Sequence, residues 1–457
     1  MMEKRLPTPL RKPRITFQPS FSRFECRVIA ICGLAQSRFR FGGNVRCQPV
    51  LVTSRRSEQC IDDLVMTRRK LLSVAPWIPS VDSKYAGHKY FFHHLTRLAE
   101  VFEVVLISCD VEENRKLLGE MTPWRTVLVP PLPKAAGLKG KLASLRLQGR
   151  WDPIPAINGR ELFSEEQPEI VELHWSTTMI LAPRVRKLFP GAYIAGYQYD
   201  RYSSTLTWSK LRRLRLRRRI LESVAGRVIA RQERRLARSC DLVAAFKQRD
   251  LKFVGNRAST MVIDPWLDPP ISRAPGNETK DVLLVGAFDR VENEEGALWM
   301  INEVMPIVWL EQPTARLVLA GANPGPKLRQ HEGPRVRVTG FVDDLSPFYA
   351  AAHCSVAPIF TGGGLRFKVP QALSHGIPLV ATSESLAGLE GLGRARLAGV
   401  EDEAPGFAAA ISRVLRDPVK AASDAASAKE WVLRRFSFDR SIQSVIDRYM
   451  VTSSGDQ

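Results

Sequence analysis

Residues 355–382 read SVAPIFTGGGLRFKVPQALSHGIPLVAT, and the punctuation of this stretch decides the fold class. Ser355 to Ile359 is a short apolar run of the kind that forms a buried parallel strand. Gly362, Gly363 and Gly364 follow, and then Arg366 and Lys368 open a helix that stops at His375-Gly376. Ile377 to Ala381 is the next strand. A glycine loop between strand and helix lets backbone N–H groups approach a phosphate, the helix N-terminus adds a favourable dipole, and the Lys368 ammonium supplies countercharge. A tight turn in an ordinary strand–helix unit fits the loop alone equally well.

At 457 residues the chain exceeds one ordinary core, which implies two or three domains. With 44% hydrophobic and 25% charged residues it is a globular chain and not a disordered one. No apolar run approaches the roughly 20 residues of a membrane span. Val28 to Ala35 imitates a secretory apolar segment, but it is short and starts late. The seven cysteines are odd in number and form no Cys-x-x-Cys pair, which points to a reduced cytoplasmic setting without a structural metal.

The net charge of +20 is concentrated locally. Residues 1–65 carry 12 Lys and Arg against 5 Asp and Glu, and Ser209–Arg238 carries 12 against 2. The rest is close to neutral, so basicity is a property of two segments and not of the fold. Residues 1–65 lack sustained periodicity and read as a basic extension, with Met66 the start of the first domain. Ser209–Arg238 has an apolar face through Ile220, Val224 and Val228, and is otherwise largely guanidinium. It suits a solvated helix face, an anionic membrane surface or a nucleic acid. The membrane surface is favoured, and the absence of aromatic residues for base stacking argues against single-stranded nucleic acid.

From Leu71 strands and helices alternate. Strands are expected at Leu71–Ala75, Phe102–Ser108, Arg125–Val129, Ile170–Leu173, Tyr193–Tyr197, Cys240–Phe246 and Thr260–Ile263. Helices are expected at His88–Glu100 and in the stretch before Tyr193. Residues 264–280, with four prolines, read as a linker. A second alternating set follows from Asp281, with a helix over Glu294–Leu310. The pattern predicts two doubly wound α/β domains, 66–263 and 281–430, facing a cleft, with 431–457 a C-terminal helix packing back on the first domain. In such sheets ligands bind beyond the carboxyl ends of the strands. That places the loop at Gly87, and His174 ending VELH, at the ligand edge. For His174 a satisfied structural histidine fits as well.

The second half, DVLLVGAFDRVENEEGALWMINEVMPIV, ARLVLAGANP and 336–392 from VRVTGFVDD to SLAGLEGL, resembles the group 1 family of retaining GT-B glycosyltransferases. The ordered series is far more specific than any one loop. The first half fits more loosely, through APW…AGHKY, ELHW and ERRLARSCDLVAAF. The resemblance implies that Gly362, Gly363, Gly364 and Lys368 hold the diphosphate of a nucleotide sugar, and Arg366 is counted among the donor-binding residues. It places Gly286 at the end of the first strand of the nucleotide domain, with Gly340, Phe341 and Val342 beside the base. Thr382 falls near the donor, Gly87 in a mobile loop that closes on it, and His174 where the first domain offers a polar group to the sugar. Gln371 stands where the family places a glutamate that binds both ribose hydroxyls. The cations usual after the first strand are replaced, leaving Arg290 as the one cation of 287–295.

The implied activity is hexosyl transfer from a UDP-, GDP- or similar nucleotide sugar to an acceptor hydroxyl. His174 and Lys368 are the expected catalytic groups, with no metal or other cofactor. The expected setting is cell-surface polysaccharide or glycolipid synthesis at the cytoplasmic face of a membrane, on a sugar or lipid-linked acceptor. Gln371 and the missing cations motivate the rival reading of a catalytically silent GT-B scaffold. Binding of nucleic acid rests on charge alone.

Overall fold

The computed structural model describes residues 68–83, 85–118, 121–132, 151–158, 162, 167–199, 227, 231, 233, 235, 238–252, 254, 258–275, 279–361 and 365–451. Residues 67–457 belong to one compact unit. Residues 1–65, nearly all of Ser209–Arg238, and Gly362–Gly364 lie outside the described residues.

The first domain is built on strands β1 (Lys70–Val74), β2 (Glu103–Cys109), β3 (Arg125–Val129), β4 (Ile170–His174), β5 (Tyr193–Gln198), β6 (Leu242–Ala245) and β7 (Ser259–Val262), with helix α1 (Ala86–Ala99) following β1. They form a parallel sheet in the order β3-β2-β1-β4-β5-β6-β7. The second domain contains β8 (Lys280–Val285), α2 (Val291–Trp299), β9 (Ala315–Ala320), β10 (Val336–Gly340), α3 (Ser346–Ala351), β11 (Cys354–Ala357), α4 (Lys368–Ser374), β12 (Leu379–Ala381), β13 (Gly399–Val400) and α5 (Ala404–Arg416). Its strands run parallel in the order β10-β9-β8-β11-β12-β13. Every residue of β1, β4 and β11 is buried, as strands covered by helices on both faces must be.

In each sheet the chain winds outward from the centre, returns, and winds the other way. The reversal falls between β1 and β4 in the first sheet and between β8 and β11 in the second. At such a switch point the loops leave in opposite directions and open a crevice at the carboxyl edge, where ligands bind. The helix expected over Glu294–Leu310 is interrupted. It widens to a π-helical turn at Met300–Val304 before continuing as Met305–Glu311. Pro306 has no N–H to give to the turn behind it, so the register adjusts there.

Helix α6 (Pro418–Arg435) lies along α4, and α7 (Phe438–Val451) lies on the first sheet. Arg69 donates to Tyr449 O at 2.8 Å, and Tyr449 donates its hydroxyl to Glu172 of β4 at 2.7 Å. Asp264 receives the Arg435 guanidinium at 2.9 Å and the Ser437 N–H at 3.0 Å. One apolar cluster runs from Leu71 and Phe91 of the first domain through Leu373 and Ala381 of the second to Val432, Ile442 and Tyr449. Burial of so continuous an apolar surface ties the C-terminal helices to both sheets. Among the described residues no helix is long and apolar enough to cross a membrane, and Cys109, Cys240 and Cys354 are buried thiols outside any disulfide.

Candidate nucleotide-sugar site

The switch point of the second sheet brings the end of β8 against the start of α4. Gly286 follows β8, and its N–H donates to Ala320 O at 3.1 Å. A Cβ at Gly286 would lie 3.1 Å from Asn293 and 3.3 Å from Lys368 Nζ, so a side chain there would press on both by a few tenths of an ångström. Lys368 donates to Asn293 Oδ1 at 2.8 Å, and Asn293 Nδ2 donates to Ala287 O at 2.8 Å. Lys368 as a residue is half-buried, and its ammonium is the enclosed end. Burial, reinforced by Arg366 and then Arg290 against the opposing Glu292, lowers its pKa from 10.5 to about 7.

Arg366 is 9% exposed, within reach of Thr361 O at 3.4 Å and of Glu384 Oε1 at 3.9 Å. Arg290 precedes α2 and faces Glu292 at 4.0 Å. Lys368, Arg366 and Arg290 thus act electrostatically on one another, with Glu384 near Arg366 and Glu292 near Arg290. A lysine ammonium with its pKa lowered by burial and by neighbouring cations marks a candidate anion site. Glycines extend the floor: Gly321 N–H donates to Gly340 O at 3.1 Å, and a Cβ on Gly321 would strike Gly286 O at 2.1 Å. Gly286, Gly321 and Gly340 thus line the ends of β8, β9 and β10 side by side. Phe341 is exposed and Val342 half-buried just beyond Gly340, two strands away from Lys368.

Thr382 is fully buried at the end of β12. Its Oγ1 accepts the Ile359 N–H at 3.1 Å and contacts Ser385 Oγ at 2.8 Å, bracing the strand that feeds the glycine loop. Gln371 is engaged elsewhere than the family position implies. Its Oε1 accepts the Asp268 N–H at 2.9 Å, and its Nε2 faces Asp268 O at 3.2 Å and His375 Nε2 at 2.9 Å. The linker thereby occupies both ends of the amide.

From the first domain, Gly87 sits in the first turn of α1 with open space around its missing side chain. Tyr85, just before α1, donates to Asp289 Oδ2 at 3.1 Å, and the Arg290 guanidinium lies 5.4 Å above its ring. The loop at Gly87 thus touches the second domain beside the three cations. Lys247, after β6, packs its stem against Gly388 and pairs with Asp250 at 3.1 Å, while Phe246 meets Phe367 edge-on at 5.0 Å.

His174 lies in the interior, fully buried. Its Nε2 is 3.0 Å from Glu172 Oε2 and its Nδ1 is 2.7 Å from Tyr199 Oη. Glu172 Oε1 is also 3.0 Å from His94 Nε2. The contacts are met by a carboxylate accepting Nε2–H from both imidazoles and the Tyr449 hydroxyl, with Tyr199 donating to His174 Nδ1. Burial pushes His174 down to about 4, against the hydrogen bond and charge of Glu172 that favour its cation. Burial opposes ionisation of Glu172, but His94 and His174 overcome it and hold that carboxyl below the usual range. The structure does not bring His174 among the cations. Its neighbour Trp175 adopts φ 67° and ψ 152°, a conformation costing a bulky residue on the order of 1–3 kcal/mol.

Asn293, Gly321, Tyr85 and Asp289 are contacts that sequence reading does not single out. Each is an ordinary polar or small residue with no spacing rule, visible only once the strand ends are side by side.

Residues 279–417 match the family described as glycosyl transferases group 1. No curated protein matches the chain in sequence. Among solved structures, sucrose-phosphate synthase (tll1590) from Thermosynechococcus elongatus superposes with a TM-score of 0.65 at 17% identity, over 85% of this chain and 100% of that one. Anabaena Alr3699/HepE in complex with UDP and glucose gives 0.58 at 14% identity, over 84% and 100%. A trehalose-6-phosphate protein from E. coli bound with UDP-2-fluoro glucose gives 0.56 at 10%, over 83% and 98%. At such identities these structures share the fold. The second domain, residues 279–417, is thus similar to the group 1 glycosyltransferases, and the chain as a whole shares with these structures a fold of two parallel-sheet Rossmann-like domains.

Proposed function

We propose that the chain transfers a hexosyl unit from a nucleotide diphosphate sugar to an acceptor hydroxyl. The observation that carries this reading is the enclosed Lys368 ammonium, held over Gly286 by Asn293 with Arg366 and Arg290 close by. As the bond between the sugar and the diphosphate breaks, negative charge grows on the leaving oxygen. Groups already fixed around that oxygen stabilise it without reorganising. A lysine poised near pH 7 takes up a full proton once the anion arrives, so the charge is present when it is needed. In this reading the N–H groups of Gly362–Gly364 cradle the diphosphate, Gly286 and Gly340–Val342 lie under the nucleoside, and Gly87 closes from the first domain.

Retention of anomeric configuration, metal independence, and a role in cell-surface polysaccharide or glycolipid synthesis complete the proposal. The Ser209–Arg238 segment would hold the protein at the anionic cytoplasmic face of a membrane. HepE was crystallised with UDP and glucose, so UDP-glucose is the first donor to test. The full chain is screened with UDP-, GDP- and ADP-sugars by thermal shift and by donor hydrolysis, with and without EDTA. One donor should shift the melting point and turn over in EDTA. Lys368→Met should then lose transition-state stabilisation of about 2–4 kcal/mol. If no nucleotide sugar binds, the donor reading falls; inactivation by EDTA that magnesium reverses removes metal independence.

One observation favours a second reading, a scaffold that binds without catalysis: Gln371 is bonded to the linker at Asp268. Binding of a nucleotide sugar with no hydrolysis or transfer to any acceptor would support it.

A further inference from the structure

The switch point of the first sheet, between β1 and β4, carries no role so far. The loops leaving these strands place Trp77 and Trp175 at its carboxyl edge. Trp77 is 41% exposed. Its exposure is built in and not the product of a loose loop. Asn114, 1% exposed, accepts the Ile78 N–H at 3.1 Å and donates to Pro76 O at 3.0 Å, clamping the backbone on both sides of Trp77. It also donates to Cys109 O at 2.7 Å, anchoring the clamp to β2.

Behind the indole stands an aromatic stack. The His88 ring lies 6.1 Å from Trp77 at an interplanar angle of 26°. His88 meets Trp175 edge-on at 5.7 Å and Tyr85 at 5.3 Å, and Trp175 meets Tyr199 at 4.8 Å. Tyr85 in turn bonds Asp289 of the second domain, next to Arg290. Trp77 is thus separated by one imidazole from the point where the first domain touches the cation cluster.

We infer that Trp77 is the stacking platform of an acceptor subsite for a pyranose ring, so that the acceptor is itself a glycoside. A pyranose has one face of C–H groups and a rim of hydroxyls. A flat indole on a clamped backbone matches the first. A polyprenyl or acyl chain would call for an aliphatic groove, whereas this edge presents aromatic rings with polar tips. The platform rests on the donor reading for its place in the reaction, since it lies on the first domain and Lys368 on the second. It makes no demand on which nucleotide is bound.

The test uses the full chain with isotope-labelled tryptophan. Indole N–H resonances are followed during titration with the methyl glycosides of glucose, galactose, mannose and N-acetylglucosamine, and separately with UDP and GDP. Trp77 is identified by the signal missing from Trp77→Phe. At least one glycoside should move that signal at millimolar concentration. Trp77→Ala should weaken its binding about tenfold or more, Trp77→Phe only about threefold, and neither should change nucleotide affinity more than about twofold. Because Trp77 is exposed, these variants should keep the wild-type circular dichroism spectrum. A Trp77 signal that no glycoside moves, that moves only with phosphatidylglycerol vesicles, or glycoside binding unchanged in Trp77→Ala, overturns the platform. If glycosides move Trp77 while neither nucleotide binds, the donor reading fails and the platform stands.

Discussion

Gln371 grips the backbone of Asp268 with both ends of its amide, accepting the N–H at 2.9 Å and reaching the carbonyl at 3.2 Å. The helix that carries Lys368 is thereby fastened to the segment joining the two domains. A glutamate offers two acceptors and no donor, so it keeps the first contact and turns the second into repulsion.

Gln371→Glu should therefore be less stable by about 1–2 kcal/mol at pH 8 in urea denaturation, without tighter nucleotide binding. His375 Nε2, now an acceptor 2.9 Å from the amide nitrogen, can become a donor to the new carboxylate by taking a proton. Burial lowers the His375 pKa in the wild type, and the added negative charge raises it in the variant. A raised histidine pKa adds stability at low pH that disappears as pH rises through it, so the deficit should shrink at pH 6. Tighter nucleotide binding in the variant would restore the ribose role to this position.

Nucleotide affinity should depend on pH through Lys368. Its pKa in the folded protein lies near 7 against the ordinary 10.5, so between these values the unfolded chain binds the proton and the folded one does not. Its contribution to stability is least favourable below pH 7 and improves as pH rises towards 10.5. Binding of a diphosphate reverses the balance, because the anion raises the pKa and draws a proton in. The dissociation constant should rise above pH 7 by up to about tenfold per pH unit, and the slope should vanish in Lys368→Met. Calorimetric titration of UDP and GDP in buffers of different ionisation enthalpy counts the proton directly.

Gly286→Ala should disable the site while sparing the fold. The added methyl would sit 3.1 Å from Asn293 and 3.3 Å from the Lys368 ammonium, and a flexible lysine tip yields before the strand does. We expect kcat/KM to fall about 10–100-fold with a stability change under about 1 kcal/mol, read from steady-state kinetics beside a thermal melt. A variant with full activity would show that the lysine needs no fixed seat.

The buried Glu172 should control acid stability. His174 stays neutral in the folded protein until about pH 4, whereas an unfolded histidine takes its proton near 6.5. The unfolded state therefore binds more protons as pH falls through this window, and stability is lost there; the depressed Glu172 carboxyl extends the loss below pH 4.5. Glu172→Gln should cost roughly 2–3 kcal/mol at pH 7, since three donors lose a charged acceptor. Its melting temperature should fall at least as steeply between pH 6.5 and 4, because His174 loses the carboxylate that favours its cation, and less steeply below pH 4.5, where Glu172 no longer titrates. Nucleotide affinity should hold, because this network lies among the β4, α1 and α7 side chains and not at Lys368.

Two parallel sheets, and the helix that opens at Lys368, were legible in the chain because their signals are local. Apolar runs of strand length, glycines at strand ends and the stop at His375-Gly376 act within a few residues, where backbone sterics and burial set the rules. Those same rules carry no information about partners far away. Asn293 and Lys368 meet across 75 residues only because β8 lies beside β11, and Tyr449 reaches Glu172 across 277 only because α7 returns to the first sheet. His174 shows the difference most plainly. Its position at the end of β4 follows from the strand pattern, but whether it faces a ligand or the core depends on what packs above it. Burial of Phe91, Tyr197 and Tyr199 around the ring, with Glu172 as its acceptor, decided for the core.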